Sequence, residues 1–218
     1  MENNIVLPKK ITRSYIAEMR ADITEGENKK GVIIGTPAVY GQKTQIGELF
    51  EEVIENGAFS TCDFDDVPLF INHNPNDIPL ARSRRNTKNS SLQLTATQSG
   101  LEIRTELDIE KNPQAAALYS AIERGDIKGM SFRFRVADEW WENLDTNMPI
   151  RHITKIAKVF EVSAVNYPAY DGTEIYARDC GLLENDIKAL DNARAMALDN
   201  TIKSEVELLK ARIKIIGG

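Results

Sequence analysis

The chain has 218 residues, of which 42% are hydrophobic and 28% charged, so one large folded domain is expected and wholesale disorder is not. With 27 Lys and Arg against 33 Asp and Glu, the net charge is −6, which argues against general nucleic-acid binding because that requires basic patches. No apolar run approaches the roughly 20 residues of a membrane span, and the N-terminus lacks a signal-peptide core, so neither a membrane partner nor secretion by that route is expected.

The first half of the chain is predicted to be mainly β. Strands are predicted where β-branched or alternating apolar residues lie between turn signals: Ile11–Met19, Gly31–Gly41, Val67–Ile71, Leu92–Leu94 and Leu101–Leu107. Phe50, Val53 and Ile54 follow helical spacing, with Gly57 as a stop. This spacing predicts one or two helical turns there.

The second half begins with the clearest helix signal. Asn112 is an N-cap candidate, Pro113 suits the first helical position, and Gly125 ends the pattern. A strand then follows Gly129, in which four apolar residues share one face: Met130, Phe132, Phe134 and Val136. Residues 150–165 are β-rich and predict two strands or one bent strand.

The C-terminal stretch differs in character, and we divide the chain into a body, residues 1–180, and a helical tail, residues 181–218. Apolar residues of the tail recur at helical spacing among charges of both signs. From Glu184 onward there are six acids and six bases, so the net charge of −6 belongs to the body. Such a helix favours packing on the body, self-association or docking on another protein.

Few residues can carry chemistry. The two cysteines, Cys62 and Cys180, form no CxxC pair, and the two histidines, His73 and His152, are 79 positions apart. No compact zinc spacing and no glycine-rich phosphate loop is present, so we expect neither a metal nor a cofactor.

Nucleophilic catalysis remains open. His73 precedes a turn cluster at a strand end, Ser131 lies just inside a strand after Gly129, and Glu161 interrupts an apolar run. On spacing alone each also has an ordinary structural role: a solvated histidine, a serine at a strand start and a glutamate that points to water. The residues by themselves do not decide between these interpretations.

Six segments, taken together and in order, are more specific. They are Gly31–Tyr40, Glu51–Phe59, Val67–His73, Ser99–Leu101, Ile127–Phe134 and Phe160–Tyr170. In this order they resemble the prohead protease family of tailed bacteriophages, which matures capsids. The resemblance covers roughly Gly31 to Ala177, most of the chain.

The resemblance implies a serine endopeptidase with a fold similar to the herpesvirus assembly proteases: α+β, mainly β, an antiparallel β-barrel with peripheral helices. It carries the nucleophile onto Ser131 and the general base onto His73. The family's Glu-Val-Ser segment makes Glu161 the third member, whereas the second histidine of the herpesvirus enzymes would make it His152. We favour Glu161, because it lies in a matching motif.

Further expectations follow from the resemblance. Arg133 and Arg135, on the face of Ser131, and the backbone near Gly129 are candidates to bind the oxyanion or the substrate. The expected partners are the major capsid protein and scaffold as substrates and a second copy of the chain, inside the assembling prohead in the host cytoplasm, with self-cleavage. The alternative is a scaffold or capsid-assembly protein that keeps the fold without proteolysis.

Overall fold

The computed structural model describes residues 11–17, 19–24, 30–166 and 180–216 of the chain. Over these residues the protein is α+β and mainly β, as predicted. Its elements are β1 (Ile11–Ile16), β2 (Met19–Ile23), β3 (Gly31–Val39), β4 (Lys43–Ile46), β5 (Phe50–Ile54), β6 (Pro68–Ile71), β7 (Ala81–Arg82), β8 (Leu92–Ala96), β9 (Gly100–Leu107), α1 (Pro113–Glu123), β10 (Gly129–Glu142), β11 (Ile150–Val165) and α2 (Cys180–Ile216).

The strands form two sheets. The larger sheet has the order β1-β10-β11-β5-β4, and β6 also pairs with β11 and carries β7. The smaller sheet is antiparallel, with the order β2-β3-β9-β8. Apolar side chains of both sheets and of α1 form one buried core.

The long strand β11 organises the larger sheet. One edge of β11 pairs with β10 along nearly its whole length, in antiparallel direction with several bulges. The other edge pairs in parallel with β5 near its start and with β6 near its end. The predicted β-rich stretch is therefore a single strand, and the larger sheet is mixed.

The expected antiparallel barrel is not confirmed. Over the described residues the strands form two separate sheets, and neither sheet closes into a barrel. The parallel pairing of β5 and β6 with β11 also departs from a purely antiparallel arrangement.

Two local predictions are corrected. The helical turns predicted around Phe50, Val53 and Ile54 are wrong, because these residues form β5. All three side chains are buried together with Glu52, so both faces of the strand lie inside the protein and the apolar spacing does not alternate. The segment Ile11–Met19, predicted as one strand, contains the whole of β1 and the first residue of β2, which belong to different sheets.

The predicted helix is present as α1. The side chain of Asn112 accepts hydrogen bonds from the backbone N–H groups of Gln114 and Ala115, which satisfies two donors at the helix start. The buried face of α1 packs near β3, where a Cβ on Gly31 would lie 2.6 Å from the Tyr119 ring. Glycine at this position allows the helix to approach the sheet closely.

The C-terminal helix α2 contacts the body near its start and is exposed further on. Asp186 and Leu190 are buried, and Leu190 packs with Phe50 and Ile46. Large apolar residues further along α2 are exposed: Met196, Leu198, Ile202, Val206, Leu208 and Leu209. Within the described residues, neither helix has the length and apolar character required to cross a membrane.

Candidate active site

Three of the residues singled out from the sequence meet in the larger sheet. His73 Nε2 lies 2.5 Å from Ser131 Oγ. On the other side of the ring, His73 Nδ1 contacts Glu161 Oε1. The imidazole therefore bridges a hydroxyl and a carboxylate, although the three residues are far apart in sequence.

The register of three strands explains this meeting. In the β10–β11 ladder Ser131 pairs with Ser163, and Arg133 pairs with Glu161. Residues two apart on a strand share a face, so Ser131 and Glu161 lie on one side of the sheet, on adjacent strands. Strand β6 runs parallel to the end of β11 and delivers His73 just beyond its own last residue.

A tight turn aims the His73 ring back at this face. Asn72 and His73 both have left-handed backbone conformations, with φ of 51° and 56°. Asn72 N–H donates to the Ala164 carbonyl at 2.9 Å, and the Asn72 side-chain oxygen accepts from Asn166 N–H at 3.0 Å. Asparagine tolerates this conformation better than most residues, so Asn72 suits the position that starts the turn.

Ser163 links the turn to the carboxylate. Its Oγ accepts a hydrogen bond from His73 N–H at 3.2 Å and lies 3.5 Å from Glu161 Oε1. The Ser163 side chain is fully buried. Sequence reasoning missed Ser163, although its place two residues after Glu161 puts it on the same face of the strand.

The Glu161 carboxylate is nearly buried, with 6% of the residue exposed, and a second cation lies close to it. Arg133 Nη1 is 3.6 Å from Glu161 Oε2, and Arg133 Nε donates to Thr12 Oγ1 at 3.2 Å. A buried carboxylate requires such compensation, because removing a charge from water is costly. The carboxylate is thus held between the imidazole and a guanidinium.

This geometry defines a proton path. If Nδ1–H donates to Glu161, Nε2 is left as an acceptor and can take the Ser131 hydroxyl proton. The Ser131 hydroxyl has a second acceptor, the Arg13 carbonyl, 2.8 Å away on β1. A hydroxyl has one proton to donate, so these two acceptors compete for it.

The alternative third residue lies elsewhere. His152 Nδ1 contacts Glu55 at 2.7 Å, its Nε2 is 3.3 Å from Glu142, and its ring stacks on Trp140. His152 and Glu161 are nine residues apart on β11, which corresponds to roughly 30 Å along an extended strand. The structure therefore brings Glu161, and not His152, to the His73 ring.

The other predicted site residues all lie on β10, the strand of Ser131: Gly129, Arg133 and Arg135. Arg133 contacts Glu161, as described. The Arg135 guanidinium lies over the Phe160 ring, 5.8 Å from its centroid. Gly129 starts β10 and pairs with Ile16 on one side and Val165 on the other, two residues from Ser131.

A buried cluster of charged side chains, which was not predicted from the sequence, surrounds the Arg13 side chain of β1. The Arg13 guanidinium donates to both oxygens of Glu52, at 2.6 and 2.8 Å, and to Asp186 at 3.1 and 3.2 Å. Arg151 contacts the same two acids, at 3.3 and 3.1 Å, and also Glu139. We call these five residues the charge cluster.

Contacts within the cluster shift the pKa values of two of its members, Glu52 and Arg13. Burial alone would raise the pKa of Glu52, but the ion pairs and hydrogen bonds to Arg13 and Arg151 outweigh burial and lower it. The pKa of Arg13, which burial opposes, is raised by Glu52 and Asp186. These shifts favour the charged forms of Glu52 and Arg13, and the cluster joins β1, β5, β10, β11 and α2.

No group of three or more histidine, cysteine, aspartate or glutamate side chains suited to a metal ion occurs in the part of the chain that the structure describes. The site itself brings a hydroxyl, an imidazole and a carboxylate into contact. A serine, a histidine and an acid in series are the arrangement of a serine hydrolase.

Comparison with known proteins identifies the class more closely. The model of the family described as caudovirus prohead serine protease matches residues 17–192. The chain belongs to this family, and the family predicted from the six segments is confirmed. At the level of the family the chain is a serine peptidase of phage capsid maturation.

A curated relative agrees with this membership. The chain is 24% identical over 191 residues to the prohead protease of Enterobacteria phage HK97, a match that covers 86% of this chain and 74% of the relative. No solved structure matches the chain.

Proposed function

We propose that the chain is an endopeptidase in which Ser131 is the nucleophile, His73 the general base and Glu161 the carboxylate that orients His73. The observation that carries the proposal is the continuous contact from Ser131 Oγ through both ring nitrogens of His73 to Glu161. A base must lie within hydrogen-bond reach of the proton it removes, and the 2.5 Å contact supports this requirement.

The reaction proceeds in two halves. Ser131 Oγ attacks the carbonyl carbon of the substrate peptide while His73 Nε2 takes the hydroxyl proton, and the tetrahedral intermediate then collapses as His73 delivers that proton to the leaving amine. Water repeats the sequence on the acyl-enzyme and releases the carboxylic acid. Glu161 fixes the tautomer of His73 and stabilises its charged form in both halves.

The oxyanion would be bound by backbone N–H groups near Gly129 and Ser131, assisted by Arg133 or Arg135. Arg133 is the nearer of the two arginines to the centre through its contact with Glu161. To reach an oxyanion, its guanidinium would have to turn away from Glu161, so Arg133 has two competing partners in this proposal.

The proposed substrates are the scaffold and the N-terminal part of the major capsid protein, within the assembling prohead in the host cell, and the chain itself. The name of the relative, prohead protease, supports this setting. The test is co-expression with the capsid protein of the same phage. Ser131→Ala should abolish processing on a gel, because loss of a triad serine costs on the order of 10⁴-fold or more.

Ser60→Ala is the matched control, because Ser60 is exposed in a turn, and it should process normally. Undiminished processing by Ser131→Ala would refute the proposed nucleophile. It would favour the second candidate function, a scaffold or assembly protein without proteolysis.

The proposal also includes the division of the chain into a body, residues 1–180, and a helical tail, residues 181–218. The tail is proposed to mediate self-association. The row of exposed apolar residues on α2 supports association, because large apolar side chains seldom line an exposed helix without a partner. Leu209→Glu should lower the molar mass measured by light scattering at a given concentration, whereas Glu207→Gln, on the same exposed helix, should not. Equal masses for all three proteins would contradict association through α2.

A further inference from the structure

Ser131 is closed to solvent in this structure. None of its surface is exposed, and its Oγ is in contact with the Arg13 carbonyl oxygen and with His73. A nucleophile must come within about 3–3.5 Å of the carbonyl carbon that it attacks. A substrate therefore reaches Ser131 only after a group that covers it has moved.

One of the groups in contact with Ser131 belongs to strand β1. This strand pairs antiparallel with β10 from Ile11, opposite Phe134, to Ile16, opposite Gly129, and Ser14 lies opposite Ser131. The other edge of β10 is occupied by β11. Because extended peptides bind sheets by adding a strand to an edge, the edge held by β1 is the one on which a substrate can pair with β10.

The contact between β1 and Ser131 is a hydrogen bond and does not have the geometry of nucleophilic attack. The Ser131 hydroxyl donates to the oxygen of the Arg13 carbonyl, so that carbonyl presents its oxygen and not its carbon to the nucleophile. While the proton is donated to Arg13, it is not donated to His73 Nε2, and the base has no proton to take.

The charge cluster holds β1 in this place. The Arg13 side chain is 7% exposed and its guanidinium contacts Glu52 on β5 and Asp186 on α2. Paired donors from one guanidinium to carboxylates are among the stronger and more directional contacts in proteins. Asp186 therefore joins the C-terminal helix to the strand that covers the nucleophile.

Two further observations concern the docking of α2 and the extent of the family match. The start of α2 is also fixed by Leu190, which packs on Phe50 of β5. The family match begins at Ala17, one residue after β1 ends, and extends to Asn192, beyond Asp186 and Leu190. Strand β1 thus lies outside the residues that the family model matches, whereas the docked part of α2 lies within them.

We infer that β1 is a built-in occupant of the substrate edge of β10, and that α2 holds it there through Asp186. The enzyme is then closed in this structure and opens when the contact between α2 and Arg13 is released. The consequence for activity rests on the proposed role of Ser131, but access to position 131 can be measured without catalysis.

The experiment places a thiol at position 131 of the full chain by Ser131→Cys and measures its alkylation by iodoacetamide with peptide-resolved mass spectrometry. Adding Asp186→Ala should accelerate alkylation at position 131 by about tenfold or more, because charge-assisted hydrogen bonds to Arg13 are lost. The cluster then keeps two arginines and two glutamates, so no net buried charge is created. Glu184→Ala, an exposed acid on the same helix, is the matched control and should leave the rate unchanged.

Leu190→Ala is a second, uncharged way to loosen α2, and it should also accelerate alkylation at position 131. The inference would be overturned if Ser131→Cys alone were alkylated at the same rate, within about twofold, as Ser131→Cys combined with Asp186→Ala or with Leu190→Ala. Fast alkylation of the single variant, equal to that of an unfolded control, would overturn it too.

A second measurement separates this inference from the proposed function: hydrolysis of a peptide derived from the capsid protein by variants that keep Ser131. If both hold, Asp186→Ala raises hydrolysis and thiol access together. If thiol access rises but no variant hydrolyses the peptide, the covering role of β1 stands and the proposed peptidase chemistry fails. If hydrolysis requires Ser131 but thiol access is unchanged by Asp186→Ala, the chemistry stands and the covering role fails.

Discussion

Glu161→Gln isolates the charge of the proposed third residue with little change in shape. The carboxylate contacts His73 Nδ1 and lies 3.6 Å from Arg133 Nη1. A glutamine fills the same space but carries no charge, and its amide can turn either an acceptor or a donor towards Nδ1. The donor orientation fixes the wrong tautomer of His73, with the proton on Nε2, where it cannot accept from Ser131.

The size of the effect follows from the burial of the pair. Two opposite unit charges about 4 Å apart interact by about 4 kcal/mol at the effective dielectric constant of a protein site. Glu161 is 6% exposed, so solvent screens this interaction little. Loss of about 4 kcal/mol in the transition state lowers kcat by roughly 10³-fold, and the wrong tautomer brings the expected loss to 10³–10⁴-fold.

The assay is cleavage of the capsid protein or a peptide derived from it, with kcat and KM measured separately. Glu161→Gln should lower kcat far more than it changes KM, because the carboxylate acts on the charged state of His73. His152→Ala should keep at least a third of the activity. If His152→Ala abolishes cleavage while Glu161→Gln keeps more than a tenth of it, the assignment of Glu161 is refuted.

Three further predictions concern the stability of the body. The free energy of unfolding should fall as the pH drops below 4.5, the ordinary pKa of a glutamate, because folding lowers the pKa of Glu52. The ionised Glu52 contributes its full stabilisation above the pKa of the unfolded state. This stabilisation is lost as the pH falls through the pKa of the folded state. Urea unfolding between pH 3 and 7 measures this, and Glu52→Gln should flatten the profile; an unchanged slope contradicts it. Gly100→Ala should lower Tm by more than about 10 °C, since its Cβ would lie 2.0 Å from the Ala38 carbonyl oxygen, whereas Gly41→Ala, with open space around it, should cost only about 1–2 kcal/mol. Asn112→Ala should cost about 1 kcal/mol through loss of the cap on α1 and leave cleavage unchanged; a loss of activity would show that α1 affects the site.

Local sequence patterns were sufficient to predict those elements whose structure depends on neighbouring residues. The cap and stop of α1 and the alternation around Ser131 were predicted from a few adjacent residues, and the structure has both elements there. The three proposed site residues were chosen by resemblance, and the structure places them in contact. Spacing alone did not separate them from an ordinary serine, histidine and glutamate.

Long-range pairing set the limit of the sequence reasoning. The apolar spacing of β5 suggested a helix because the strand is buried on both faces, which depends on neighbours nearly a hundred residues away in β11. The buried ion pair of Glu52 and Arg13 was not predicted, since a buried ion pair has no local signature in the sequence. The pairing of β1 with β10 could not be foreseen for the same reason.

The ion pair between Arg13 and Asp186 also sets an order of events during synthesis. The two residues are 173 positions apart, and at about 5–20 residues per second roughly 9 to 35 s separate their appearance on the ribosome. Contacts that close so long a loop form late, after local elements and hairpins. The β10–β11 hairpin, which carries Ser131 and Glu161, is complete at residue 165, before any of α2 has been made. A growing chain therefore passes through a stage in which the site is assembled and the C-terminal hold on β1 does not yet exist.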